Sequence, residues 1–217
     1  MSFDVLAPHY RWMEFLLAGD KLQHGRTAFL GRIIAAKKVL ILGEGNGRFL
    51  VECRRKFPDA KITCVDASAR MLSLARQRLA GQGNPPERIE FIRADALAWM
   101  PSEGDFDLIV THFFLDCFRH EQLETLIAKL APAAAPCAHW LLADFQTADA
   151  GLRRHRSRLI LWGMYRFFRL VTRLPATELT VPDTFLQQNG FKLHEREVYD
   201  WGLLRSDWWQ RVRRPTQ

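Results

Sequence analysis

With 217 residues, 48% of them apolar, the chain is long enough to bury one sizeable core, and it carries no internal repeat or low-complexity tract. Its net charge of +7 is local in origin: seven arginines and no acid lie between Ala150 and Thr177, which argues for one basic surface or lid and against a generally basic nucleic-acid protein. No apolar run nears the roughly 20 residues that span a bilayer, the opening Met1-Ser2-Phe3-Asp4 lacks a basic leader, and the four cysteines are scattered without metal-ligand spacing, so the expectation is a cytoplasmic protein with reduced thiols and no metal.

In chain order, residues 1–34 read as a helical cap in front of a domain at 35–217. That domain opens on Lys38 to Leu42, an aliphatic run of the kind a parallel strand shows when both its faces are covered. Gly43, Gly45 and Gly47 follow on alternate positions, separated by Glu44 and Asn46, and Arg48 to Phe57 then reads as a helix. Glycine at this point permits positive φ and close approach of a ligand to bare main chain, beside the free N–H groups of a helix start. A second strand, Lys61 to Val65, runs into Asp66, about 20 residues on, where Rossmann-type sites place an acceptor for ribose hydroxyls. The G-x-G-x-x-G pattern fails in both registers, since its third glycine would fall on Arg48 or Leu50, and this disfavours NAD.

Further along, Ser68 to Ala80 reads as a helix with Ser68 as its N-cap. Ile89 to Arg93, Phe106 to Thr111 and His139 to Ala143 read as strands, and His120 to Leu130 as a helix. This alternation predicts an α/β fold with a doubly wound parallel sheet. A helical insertion from Gly151 to Leu174, a helix from Val181 to Asn189 and an antiparallel pair, Phe191 to Tyr199 with Trp201 to Val212, complete the chain.

Chemistry-bearing residues gather after the fourth strand. His112 and Asp116 lie among apolar residues in the switch-point loop and are the candidate general bases, with Asp144 at the end of the fifth strand as a third; the plainer alternatives are a hydrogen-bonded histidine and a helix-capping aspartate. Phe113, Phe114, Trp162 and Tyr165 are an aromatic stock that serves either an acceptor pocket or the core. Segment 151–174 interleaves its arginines with Leu159-Ile160-Leu161-Trp162 and is expected to cover the acceptor cleft, either touching an anionic membrane surface peripherally or packing on the sheet edge with solvated arginines.

Val39 to Gly47 resembles the first motif of the class I S-adenosylmethionine (SAM) dependent methyltransferases, V-L-D/E-x-G-x-G-x-G, with Ile41 where the family has its acid and Glu44 inside the loop instead. The resemblance covers about residues 35 to 212. It implies a Rossmann-like seven-stranded methyltransferase sheet closed by a terminal hairpin, with SAM as cofactor, and it is vague for the substrate; the aromatic stock points to a small, aromatic or hydrophobic hydroxyl compound as acceptor. The resemblance further implies cofactor contacts from Gly43, Glu44, Gly45, Asn46, Gly47, Asp66, Ala67, Asp95, Ala96 and Thr111, and from Tyr10, because Phe3 to Tyr10 is similar to the entry segment of small-molecule methyltransferases. Asp95 has an alternative reading as the N-cap of a following helix. An RNA or protein methyltransferase and a catalytically silent SAM-fold scaffold are the other functions this sequence admits.

Overall fold

Val39, Leu40, Ile41 and Leu42 are all buried, two toward each face of the sheet, which is why no polar residue interrupts the run. The structure, a computed structural model, describes residues 19–83, 87–148, 150–172 and 179–212. Tyr10, the rest of the expected cap up to residue 18, and residues 173–174 of the insertion lie outside the described residues. The described elements in chain order are α1 (Gly19–Thr27), β1 (Lys38–Leu42), α2 (Arg48–Lys56), β2 (Lys61–Asp66), α3 (Ala69–Ala80), β3 (Ile89–Arg93), β4 (Phe106–His112), α4 (His120–Leu130), β5 (Ala134–Phe145), α5 (Gly151–Thr172), α6 (Asp183–Gln188), β6 (Phe191–Tyr199) and β7 (Leu204–Arg211).

The strands form one seven-stranded sheet in the order β3-β2-β1-β4-β5-β7-β6. Strands β1 to β5 pair in parallel, whereas β7 runs antiparallel to both β5 and β6. On one face Leu40, Leu42, Ile109, Trp140 and Leu142 pack against α4 and α6 through Leu126, Ile127 and Phe185. On the other Val39, Ile41, Leu108 and Val110 meet α2 and α3 through Phe49, Leu50 and Leu79. The sheet is doubly wound, so its carboxyl end is where a ligand crevice opens.

Several elements differ from the sequence expectation, among them the last strand, which starts at Leu204 rather than Trp201 because Asp200–Gly202 form a short turn with Trp201 at φ 61°. His112 is the last residue of β4 rather than the first of a loop, pairing with Ala143 of β5. Strand β5 begins at Ala134, before Pro136 and before Cys137, whose φ of 66° bends the chain; a register shift between Phe106 and Leu108 accompanies this irregularity. After Asp95 there is a turn and no helix.

Ser68 caps α3 as read: its hydroxyl accepts the Met71 N–H at 3.1 Å. Ser68→Ala is expected to cost about 1 kcal/mol of stability, seen as a lower urea midpoint with an unchanged slope.

Helix α5 rests on the fold along one stripe. Ser157, Leu161, Met164 and Tyr165, at helical spacing, are buried, and the apolar three of these meet Leu22, Phe145, Leu203 and Leu204. At the other edge, Arg196 binds Asp207 and Asp183, both at 2.6 Å, and Arg205 binds Asp183 at 2.9 Å, which fixes α6 to the terminal hairpin.

Candidate active site

The crevice lies at the carboxyl ends of β1, β2, β3 and β4. Gly43, Gly45, Val65, Asp66, Ala67, Met71, Ala94, Asp95, Ala96, Phe113, Phe114, Cys117 and Phe118 line a cleft that opens to solvent. Of the residues named from the sequence, Gly43, Gly45, Asp66, Ala67, Asp95, Ala96, Phe113 and Phe114 converge here, and the other described ones do not. The glycine loop, however, divides into parts with different tasks.

Gly43 and Gly45 face the cleft with φ of 66° and 68°. An added Cβ at Gly43 would sit 2.3 Å from the Phe114 ring, so the bare backbone lets that ring lie across it. Gly47 serves packing instead: at φ +84° it is the N-cap of α2, and a Cβ there would come within 2.7 Å of the Ala75 backbone in α3. Asn46 is buried, with its carbonyl accepting from Arg78 Nε at 2.9 Å, and it does not line the cleft.

The two positions that compete for the first-motif acid are both turned elsewhere. Ile41 is core. Glu44 accepts the Leu50 N–H at 2.9 Å and so caps the first turn of α2 from below. Burial pushes its carboxyl up to about 7 despite that hydrogen bond and the charge of Arg26. The carboxylates that do line the cleft are Asp66 and Asp95.

Asp66 is fixed by both neighbouring loops, accepting from the Gly45 N–H at 3.2 Å and the Ser68 N–H at 2.8 Å. These two bonds orient the carboxylate at the cleft wall. Asp95 accepts the Leu97 N–H at 2.9 Å and thereby builds a turn where the alternative reading placed a helix start.

Beyond β4 the chain is strained. Phe113 has φ of 52°, uncommon for a bulky residue, and its ring lies between Phe145, 5.4 Å away, and the Arg26 guanidinium, 5.1 Å from its centroid. Phe114 and Phe118 meet edge to face at 5.1 Å. Together these rings make one side of the cleft aromatic.

The candidate bases are placed differently from one another. His112 is buried with its ring 4.6 Å from Phe49, edge to face, and its Nδ1 has no hydrogen-bond partner among the described residues. Desolvation, followed by the Arg26 charge, holds it well below the usual histidine pKa, so the ring is neutral. It does not line the cleft. Asp116 sits in the short turn Leu115–Cys117 behind the cleft wall, where its Oδ1 accepts from the Cys117 thiol at 3.5 Å.

Asp144 reaches the same spot from the end of β5, so two buried carboxyls share one pocket. Burial raises both: Asp116 to about 6, opposed by hydrogen bonds from Cys117 and Asp144, and Asp144 well above the ordinary range, with the Asp116 charge adding to burial and Arg205 opposing it. Like charges this close favour one proton held between them. Burial and these two acids keep the Cys117 thiol protonated.

Thr111, expected at the cofactor, is fully buried and accepts the Trp140 indole N–H at 2.8 Å; it does not line the cleft. Trp162, expected in the acceptor pocket, points to solvent from α5. Tyr165, one turn further along that helix, is buried and donates its hydroxyl to the Asp116 carbonyl at 3.3 Å, holding the turn rather than lining the cleft. Arg26, a buried cation from α1 acting on Glu44, His112 and Phe113, was not legible in the sequence, because no motif surrounds it.

Comparison with known proteins adds the following. A family model described as a methyltransferase domain matches residues 39–137. The demethylmenaquinone methyltransferase of Roseiflexus castenholzii is 31% identical over 181 residues, which is 82% of this chain and 69% of that protein. The trans-aconitate 2-methyltransferase of Paracidovorax citrulli is 37% identical over 103 residues, 47% of this chain, and the match spans 36% of that relative's length. Among solved structures, the N-methyltransferase NodS from Bradyrhizobium japonicum in complex with S-adenosyl-L-homocysteine superposes with a TM-score of 0.61 at 17% identity, covering 89% of this chain and 85% of that one. This last likeness is one of fold.

Proposed function

Because the chain belongs to the class I SAM-dependent methyltransferases, we propose that it binds SAM in the cleft described above and methylates a small aromatic or hydrophobic hydroxyl acceptor. The cleft wall carries this reading: two fixed carboxylates, bare main chain at Gly43 and Gly45, and three phenylalanine rings. Such a wall fits a nucleoside bearing ribose hydroxyls. In this reading Asp66 takes the hydroxyls, Ala67 and Ala96 flank the base, Asp95 meets its amino group, and Glu44 is withdrawn from the methionine portion because it caps α2.

When bound, SAM supplies a methyl group on a positively charged sulfonium. What is left to the chain is to hold the acceptor, keep water out and remove the hydroxyl proton. Phe113, Phe114 and Phe118 serve the first two tasks as a flat apolar surface. We assign the proton to the buried pair of Asp116 and Asp144. At about 6, Asp116 is ionised at neutral pH yet more basic than an ordinary aspartate. His112, neutral beneath Phe49, is the other candidate for this step.

Asp66→Ala is expected to weaken SAM and S-adenosylhomocysteine binding by about 1 to 3 kcal/mol, the loss typical of a charged hydrogen-bond partner. Titration calorimetry reads this directly, with NAD as the control. Unchanged affinity in the variant, or binding of NAD without SAM, would sink the assignment. Turnover is then to be sought on a panel of phenolic and aliphatic hydroxyl compounds; SAM binding with no turnover on any of them would leave a scaffold in place of an enzyme.

A further inference from the structure

Helix α5 presents to solvent a face that the proposed reaction does not use. At about 100° per residue, Leu152 and Leu159 fall on the side away from Leu161, Met164 and Tyr165, with Trp162 on the flank between. Leu152, Leu159 and Trp162 are 87%, 68% and 63% exposed. Trp201, 66% exposed, stands beside the helix with the Arg153 guanidinium 5.6 Å from its ring, and Arg166 stacks on Trp162 at 5.8 Å. No acidic residue occurs anywhere in Gly151–Thr172, and its exposed arginines include Arg153, Arg154, Arg158 and Arg166, besides Arg156, which pairs with Asp200 at 3.4 Å.

We propose that this outward face of α5, with Trp201, seats the protein on an anionic phospholipid bilayer. Large apolar groups turned to water amid guanidinium groups cost free energy in solution and gain it at a headgroup layer, where leucine and tryptophan enter the acyl boundary and arginine meets phosphate. The chemistry selects among partners. Leucines neither stack on bases nor bond phosphates, which disfavours a nucleic acid, and a two-fold contact between copies would bring one arginine cluster against another. No helix among the described residues is long and apolar enough to cross a membrane, so the contact lies in the plane of the interface.

The placement has a consequence for access. Helix α5 leaves β5 at the carboxyl end of the sheet, and Tyr165 on its inner side touches the Asp116 turn behind the cleft. A bilayer on the outer side would lie about one helix diameter, roughly 10–12 Å, from that turn, close enough for an acceptor dissolved in lipid to reach the cleft.

The test is co-sedimentation of the full chain with vesicles of phosphatidylcholine alone and of phosphatidylcholine mixed with phosphatidylglycerol, at low and high salt. Binding is expected on the anionic vesicles only, weakening with salt as the attraction is screened. Leu152→Ser with Leu159→Ser, and separately Arg158→Gln with Arg166→Gln, are each expected to lower partitioning about tenfold or more without shifting the melting temperature, since these side chains face solvent. Three results would overturn the proposal: no binding to anionic vesicles at low salt, equal binding to both vesicle types, or wild-type partitioning of both double variants. Displacement of the vesicles by single-stranded RNA would overturn it too and give the face to nucleic acid. None of these readouts involves methyl transfer, so the contact can fail while the cofactor assignment stands, and the reverse.

Discussion

Asp116→Asn is expected to lower turnover by about 10²- to 10⁴-fold while making the protein more stable above pH 7. The two effects share one cause. Burial raises Asp116 from 3.8 to about 6 against the hydrogen bonds from Cys117 and Asp144, so the folded state holds a proton that the unfolded chain releases. A raised carboxyl contributes stability that is fully present below pH 3.8 and is lost as pH rises through about 6. The amide has no such dependence. Wild type and variant should therefore melt together in acid and diverge as pH rises, the gap approaching about 3 kcal/mol near neutrality. Wild-type turnover should fall below about pH 6 as the base protonates. Thermal melts from pH 4 to 8 with S-adenosylhomocysteine titrations at neutral pH separate the roles: a variant that loses cofactor affinity as much as turnover has lost structure, not a base. His112→Ala is the companion. If it alone abolishes turnover, the proton belongs to the histidine and the carboxyl pair is a positioning element.

Much of this fold was legible because the central strands β1 and β4 are buried on both faces and the loops between strands carry clear turn residues. Lys38–Leu42 and Ile89–Arg93 match the sequence reading end for end, and Asp66 stands where the spacing from the glycine loop placed it. Legibility failed where the signal is tertiary. The start of β5 is poor in β-branched residues and carries Pro136, yet it pairs because β4 lies alongside with a register shift to absorb the irregularity. Asp95 followed by small residues looks like a helix start, and only its bond to Leu97 shows a turn. Along Leu159 to Trp162 every position is apolar, so periodicity leaves open which residue faces in; Leu161 does and Trp162 does not. The meeting of Asp116 with Asp144, and the reach of Arg26 under the glycine loop, join residues that no local pattern connects.

The glycine loop gives the other large effect, and here the alternate glycines separate by what surrounds them. Gly47→Ala is expected to destabilise the protein by roughly 2 to 5 kcal/mol, from the left-handed conformation imposed on alanine together with overpacking. Its φ is +84°, and the new methyl would meet the Ala75 backbone at 2.7 Å, where no side chain can rotate away. Helix α2 must then shift off α3, moving the loop that donates the Gly45 N–H to Asp66. Gly43→Ala differs, because the obstacle at 2.3 Å is the Phe114 ring, which can swing into the cleft. That variant should lose cofactor affinity more than stability. Gly104, at φ +67° with nothing within 4 Å, supplies the control for the backbone cost alone, about 1 to 2 kcal/mol on substitution by alanine. Urea denaturation of the three variants, with calorimetry on those that fold, should order them in stability as Gly104→Ala and Gly43→Ala above Gly47→Ala, and in affinity with Gly104→Ala near wild type. Equal destabilisation at Gly47 and Gly104 would show that α2 can yield at Ala75, and would remove helix packing as the reason a third glycine ends the loop.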